Sequence, residues 1–123
     1  MKKVVFSIGS VFLDSISASS PIWAQNQAEG KKLYTAYCSS CHGDQGKGDG
    51  MAARSLPIKP KDHTDGATMN RLSDQNLTDT ISKGGAAVGK SSFMPGWGGS
   101  LNEKQIRDIV AYIRTLAVPP YKQ

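Results

Sequence analysis

The stretch Cys38-Ser39-Ser40-Cys41-His42 decides the fold, because it carries the C-x-x-C-H pattern typical of covalent attachment of a c-type haem. The two thiols can add across the two vinyl groups of the porphyrin, and the two-residue spacer sets the sulfurs far enough apart to reach both. The adjacent His42 then lies beneath the iron and supplies an axial nitrogen. The chain has 2 cysteines in all. The sequence therefore predicts one haem, held through Cys38 and Cys41, with no thiol left for a structural disulfide.

Two other interpretations of this stretch remain open. A redox-active or disulfide-bonded cysteine pair is one, but a thioredoxin-like pair is normally accompanied by a βαβ pattern, which the sequence lacks. A zinc site that combines both cysteines with His42 and His63 is the other. Zinc motifs usually leave a spacer between cysteine and histidine ligands, whereas His42 directly follows Cys41. The haem interpretation is favoured, and His63 is interpreted as an exposed loop residue.

Residues 1–24 have the pattern of a secretion signal. Lys2 and Lys3 give it a positive start, the apolar run over residues 4–13 is too short to span a bilayer, and small residues lead to Ala24. We therefore expect a signal peptide over residues 1–24 and a single exported domain over residues 25–123. Bacteria attach haem c outside the cytoplasm, which agrees with a periplasmic location. An uncleaved signal that acts as a membrane anchor is the alternative.

The charge of the chain favours an acidic partner. The whole sequence carries 15 basic and 10 acidic residues. Removal of residues 1–24 takes away Lys2, Lys3 and Asp14, which leaves 13 basic and 9 acidic residues and a net charge of +4. A positive surface attracts an acidic redox protein at long range. The lysines are scattered and form no basic stripe interleaved with aromatic residues, so nucleic acid is not expected as a partner.

Three segments are predicted to be helical. Ala28–Tyr37 runs into the C-x-x-C-H stretch, and Gly30 within it would allow another helix to cross closely. Ser73–Lys83 begins with a capping serine. Asn102–Leu116 has a capping-box pattern and an apolar stripe of helical period. This last helix is expected to cross Gly30 with the face that carries Tyr112.

The segments that follow His42 are predicted to be irregular. Residues 43–50 contain four glycines, but without a preceding strand or a G-K-[ST] pattern they do not indicate a phosphate site. Pro57 and Pro60 favour extended backbone over residues 51–61. A metal-bound histidine usually donates its second ring N–H to a carbonyl or carboxylate. We expect the carbonyl of Pro60 to accept this bond from His42.

A second axial ligand is predicted at Met94, which lies 52 residues after His42 and is followed by Pro95-Gly96-Trp97. A thioether is a soft neutral ligand of haem iron, and Met/His ligation raises the reduction potential. Met51 and Met69 lack this context. A methionine that only fills the core is the alternative for any of them.

The combined pattern resembles the class I cytochromes c, the small single-haem electron carriers. The resemblance covers most of residues 28–116. The residues that carry it are Gly30, Tyr34, Cys38, Cys41, His42, Gly43, Gly46, Gly48, Gly50, Leu56, Pro60, Asp62, Met94, Pro95 and Tyr112. The resemblance implies an all-α fold with three to four helices around one haem, and it implies His42 and Met94 as the axial ligands.

The resemblance also implies a function in electron transfer rather than catalysis, because iron with six ligands has no open position for a substrate. The expected protein is a monomeric one-electron carrier between periplasmic redox partners, with Lys47 and Lys90 beside the exposed porphyrin edge. Two alternatives remain: a haem subunit of a larger periplasmic oxidoreductase, and a haem enzyme or sensor with an open iron site.

Overall fold

The structure is a computed structural model that describes residues 4, 5, 9 and 25–122. The predicted signal peptide therefore lies almost entirely outside the described residues. The described chain is helical and contains no strand beyond an isolated bridge between Asp65 and Val118. None of the helices in the described part is both long and apolar enough to cross a membrane.

Five α-helical segments follow one another along the described chain. They are α1 (Gln27–Tyr37), α2 (Ser39–His42), α3 (Gly66–Met69), α4 (Asp74–Lys83) and α5 (Glu103–Leu116). Short 3-10 turns cover Met51–Ser55 and Ala86–Val88. The all-α prediction is confirmed: α1, α4 and α5 are the three predicted helices, and α2 and α3 are single turns that were not predicted.

The helix ends are set by local hydrogen bonds. The Asn26 side chain accepts from the Glu29 amide at the start of α1, and the Ser73 hydroxyl accepts from the Asn76 amide at the start of α4. Asn102 and Gln105 form a complete capping box at the start of α5. Such caps satisfy amide groups that the helix itself leaves without an acceptor.

The core forms where α1 crosses α5, as the sequence predicted. A Cβ atom at Gly30 would overlap the backbone carbonyl of Asp108 and lie 3.0 Å from Cβ of Tyr112. Tyr34, one turn further along α1, packs edge-on against the Tyr112 ring at a centroid distance of 5.2 Å. Gly30 therefore permits a close approach of two helix backbones that any other residue would prevent.

The prediction of extended backbone over residues 51–61 is wrong for its first half. Met51–Ser55 forms a 3-10 turn, whereas Leu56 has extended dihedral angles. Both prolines follow the turn, so neither ring clashes with a preceding carbonyl inside it.

Arg114 ties α5 to the segment that joins α3 and α4. Its side chain is only 10% exposed and donates to the Met69 carbonyl at 2.9 Å, the Leu72 carbonyl at 2.6 Å and the Asp74 carboxylate at 2.8 Å. The guanidinium also lies 3.7 Å from the centroid of the Tyr121 ring. A planar fork of five N–H donors is required to reach three acceptors at once.

We expect Arg114→Lys to destabilise the protein by about 2 kcal/mol, because an ammonium group cannot reach all three acceptors at once and the Leu72 carbonyl then loses its donor. The matched control is Arg107→Lys on the same helix. Arg107 is 45% exposed and pairs only with Glu103, which is 94% exposed, so a change below about 0.5 kcal/mol is expected there. Guanidinium denaturation of both haem-loaded variants measures the difference. Equal losses in the two variants would contradict the role given to Arg114.

Candidate functional site

A cavity of about 370 Å³ lies between α2, α4, α5 and the loop around Met94. The side chains around it are mainly apolar. Those from the first half of the chain include Tyr37, Cys38, Cys41, His42, Leu56 and Ile58, and those from the second half include Met69, Leu72, Leu77, Ile81, Phe93, Met94, Trp97 and Ile113. All four site residues predicted from sequence, namely Cys38, Cys41, His42 and Met94, therefore line one cavity.

The two thiols are positioned by the short helix α2. Cys38 caps it and Cys41 lies within it, so a single turn presents both sulfurs and the following histidine to the cavity. No disulfide joins the two cysteines, Cys38 is buried and Cys41 is partly buried. Burial, followed by the proximity of Cys41, raises the pKa of Cys38 to about 12. A redox-active dithiol needs a low thiol pKa, so this environment disfavours the dithiol interpretation.

His42 is buried at the end of α2, and its hydrogen bonding fixes its tautomer. Its Nδ1 lies 3.0 Å from the Lys61 carbonyl oxygen, so Nδ1–H donates to that carbonyl and Nε2 keeps its lone pair. Burial lowers the pKa of His42, and the bond to the Lys61 carbonyl offsets this shift only in part. The net lowering of the pKa favours the neutral ring. The prediction that the Pro60 carbonyl accepts this bond is wrong by one residue. The Pro60 carbonyl instead lies against the backbone of Gly48.

His63 is not the exposed loop residue that the sequence suggested. It is only 7% exposed, and its ring stacks on that of His42 with centroids 4.2 Å apart and planes 16° from parallel. Its Nδ1 lies 2.8 Å from the Tyr34 hydroxyl. Burial, reinforced by the proximity of His42, lowers the pKa of His63 to about 3. No short-range pattern signals this position, because the contacts come from α1 and α2.

The histidines and cysteines do not converge on a common point. Among the residues that the structure describes, no group of three or more His, Cys, Asp or Glu side chains is placed to hold a metal ion. The zinc interpretation therefore has no geometric support in the described part of the chain.

Met94 belongs to a loop that packs closely on the end of α4. The Gly85 amide donates to the Met94 carbonyl at 2.9 Å, and the Trp97 amide donates to the Ile81 carbonyl at 2.8 Å. Cβ atoms at Gly84 and Gly85 would crowd this loop, and Gly84 has a φ of +89° that favours glycine. Two glycines and two backbone hydrogen bonds thus hold Met94 beside the cavity.

Sequence reasoning missed a second methionine at the cavity. Met69 is 1% exposed and lines the same cavity as Met94, whereas Met51 is 83% exposed and is not part of the cavity wall. Position in α3, rather than any flanking motif, brings the Met69 side chain to this wall.

A family model described as cytochrome c oxidase, cbb3-type, subunit III matches residues 25–113 of the chain. The chain belongs to this family of c-type cytochromes. Its cofactor is one haem c, held covalently through the thiols of Cys38 and Cys41 in its single C-x-x-C-H stretch. The residues present fit this group, since two thiols that form no disulfide and a neutral imidazole face one largely apolar cavity.

This cytochrome is similar both to small proteins and to parts of larger ones. It is 32% identical over 93 residues to cytochrome c-554(547) of Halothiobacillus neapolitanus, an alignment that covers 76% of this chain and 99% of the relative. It is 28% identical over 105 residues to the cbb3-type cytochrome c oxidase subunit FixP of Azorhizobium caulinodans, covering 85% of this chain and 32% of the relative. The chain thus spans about a third of the FixP length.

A solved structure shares the fold of this cytochrome. A chain of the reducing HAO-like protein complex of Kuenenia stuttgartiensis superposes with a TM-score of 0.62 at 27% sequence identity, covering 80% of this chain and 48% of that one. The c-type cytochrome KustC0563 superposes with a TM-score of 0.59 at 22% sequence identity, covering 72% of this chain and 96% of that one, which confirms the predicted cytochrome c fold. The family match confirms the predicted haem c cofactor.

Proposed function

We propose that this cytochrome is an exported one-electron carrier whose haem c has His42 and Met94 as axial ligands. The observation that carries the proposal is that both side chains line the same apolar cavity as the two thiols. When bound, the haem supplies an iron that cycles between Fe(III) and Fe(II). The roles of the chain are to orient the ligands and to exclude water from them.

His42 is suited to the proximal position. Its Nδ1–H bond to the Lys61 carbonyl leaves Nε2 deprotonated, the form that a metal requires. The same bond raises the basicity of the ring and restrains its orientation. His42 is 9% exposed, so little of its surface is accessible to bulk water.

Met94 is suited to the opposite position. Its loop is restrained by the Gly85 amide and by Pro95, so little conformational entropy is lost when the thioether is held in place. A neutral sulfur ligand raises the reduction potential relative to ligation by two nitrogens or by a thiolate. A site with both ligands in place has no open coordination position, which favours a carrier over an enzyme.

The decisive experiment is a visible spectrum of the intact protein matured in an export-competent host, followed by addition of carbon monoxide to the reduced form. We expect haem that stays attached after denaturation, a weak long-wavelength band in the oxidised form, and little carbon monoxide binding. Rapid and complete binding would instead indicate an open-site enzyme or sensor. Mass spectrometry that detects only bare polypeptide would overturn the haem assignment for the matured chain.

The cavity mouth favours an acidic, partly apolar docking partner. Phe93 and Ile58 are 56% and 60% exposed and line the cavity together with Lys59, Lys61 and Lys90. Burial, and then the proximity of the Lys61 ammonium group, lowers the pKa of Lys90, so these two positive side chains lie near each other. Lys47, which was also expected at this edge, is exposed but does not line the cavity.

We expect Lys90→Gln to slow oxidation of the reduced protein by the anionic probe hexacyanoferrate(III) about twofold to fivefold at low salt. Oxidation by a cationic cobalt complex should not slow. The effect should disappear near 1 M salt, where the Debye length is about 3 Å. Lys32→Gln is the matched control, because Lys32 is exposed on α1 and does not line the cavity. Equal slowing in both variants would contradict docking at the cavity mouth.

A second candidate function, a haem subunit of a larger exported oxidoreductase, is favoured by the coverage of the relatives. The chain corresponds to only 32% of a cbb3-type oxidase subunit and 48% of a chain from a multi-subunit complex. Purification of the tagged chain from its host in mild detergent separates the two proposals. A free carrier elutes alone, whereas a subunit brings oxidoreductase polypeptides with it in fixed ratio.

A further inference from the structure

The ring of His42 is restrained on its edge and on one face. The edge restraint is the bond from Nδ1–H to the Lys61 carbonyl at 3.0 Å. The face restraint is the ring of His63, stacked at a centroid distance of 4.2 Å and 16° from parallel. A turn of the His42 ring about its long axis would drive its face into His63, so the two restraints together define one rotational orientation.

His63 can act as a restraint because it is itself immobilised. Its amide donates to the Gly46 carbonyl at 2.6 Å, and its Nδ1 shares a hydrogen bond of 2.8 Å with the Tyr34 hydroxyl. A Cβ atom at Gly46 would lie 3.2 Å from that hydroxyl and 3.3 Å from Cβ of His63. These contacts restrain the His63 side chain, which is 7% exposed.

Tyr34 connects this arrangement to the helix crossing. It is 1% exposed and packs edge-on against the Tyr112 ring of α5. An unbroken series of contacts therefore leads from the crossing of α1 and α5, through the Tyr34 hydroxyl and His63, to the face of His42.

We propose that His63, held by the Tyr34 hydroxyl, is a positioning residue that fixes the rotational orientation of the His42 ring in the haem-loaded protein. The inference rests on the proposed function, which makes His42 an axial ligand. The ring plane of an axial histidine controls how unpaired spin is distributed over the porphyrin, and contacts beyond the ligand itself commonly set that plane. His63 would thus tune the electronic structure of the haem without touching the metal.

The test compares proton NMR spectra and reduction potentials of the oxidised holoprotein for Tyr34→Phe, His63→Phe and the double variant. The haem methyl resonances report the plane of the His42 ring directly. If His63 only stabilised the fold, its substitution would not change the positions of these resonances. We expect both single variants to change the spacing or order of these resonances and to shift the potential. The double variant should change them no further than the larger single effect, because both substitutions break the same hydrogen bond.

Tyr112→Phe is the matched control, because it also removes one phenolic hydroxyl from the aromatic cluster but no contact with His63. Wild-type haem methyl shifts and an unchanged potential in both Tyr34→Phe and His63→Phe would overturn the proposal. Tyr34→Phe changes one atom and is expected to fold, so the test does not depend on the bulkier substitution. Failure of the proposed function would look different, because the wild-type protein itself would then lack a six-coordinate spectrum.

Discussion

Replacing Met94 with alanine is expected to abolish the weak long-wavelength band of the oxidised protein and to let carbon monoxide bind the reduced form rapidly. Alanine has no atom that could ligate iron, so the coordination position that the proposal gives to Met94 would become available. The reduction potential should also fall, because the proposed thioether ligand, which would stabilise the reduced iron, is absent. Visible spectroscopy, carbon monoxide titration and potentiometry measure the three effects on one sample.

Two further methionines make this experiment specific. Met51→Ala should leave all three properties unchanged, because Met51 is 83% exposed and lies away from the cavity. Met69→Leu is the critical comparison, since Met69 is 1% exposed and lines the same cavity. Leucine preserves most of the volume but has no sulfur. Survival of the band in Met94→Ala, together with its loss in Met69→Leu, would assign the ligand to Met69.

Gly30→Ala is expected to destabilise the haem-loaded protein by about 2 kcal/mol or more, because the new Cβ atom would overlap the backbone carbonyl of Asp108. Alanine would by itself favour the helix by about 1 kcal/mol. The steric effect exceeds this gain, since a backbone carbonyl inside α5 cannot move aside as a flexible side chain can. The two helices must then separate, which loosens the packing of Tyr34 on Tyr112.

Guanidinium denaturation and thermal melting measure this loss, and a decrease in Tm of about 10 °C is expected for a domain of this size. Gly99→Ala is the matched control, because a Cβ atom there meets nothing within 4 Å and the backbone has no positive φ. It should change stability by less than about 0.5 kcal/mol. If Gly30→Ala had the same denaturation midpoint and the same Tm as wild type, the helix crossing would adjust more freely than its backbone contacts indicate.

Two sets of contacts support the cavity from different elements: the crossing of α1 and α5 at Gly30, and the hydrogen bonds of Arg114. The α1–α5 crossing supports the His42 side through Tyr34, whereas Arg114 holds the carbonyls of Met69 and Leu72 on the opposite wall. Arg114→Lys is therefore expected to make the backbone near Met69 and Leu72 more mobile. Gly30→Ala is expected to have the same effect on the backbone near His42. Residue-resolved hydrogen exchange would separate the two effects.

The sequence by itself determined the features that depend on residues close together in the chain. The thiol spacing in Cys38–Cys41 and the caps at Ser73 and Asn102 specify local geometry, because each interaction spans three or four residues. The Gly30 crossing could also be predicted, since a glycine within a helix opposite an apolar stripe indicates close packing. The haem c cofactor follows from the same short-range chemistry.

Only the tertiary structure decided which groups surround His42. The Lys61 carbonyl rather than that of Pro60 accepts its hydrogen bond, and His63 lies buried against its ring instead of in solvent. Both outcomes depend on the path of the loop after Gly46, which is fixed by the bond from the His63 amide to the Gly46 carbonyl. That bond joins residues 17 positions apart. No local propensity encodes it, because it accompanies contacts of His63 with Tyr34 in α1 and with His42 in α2.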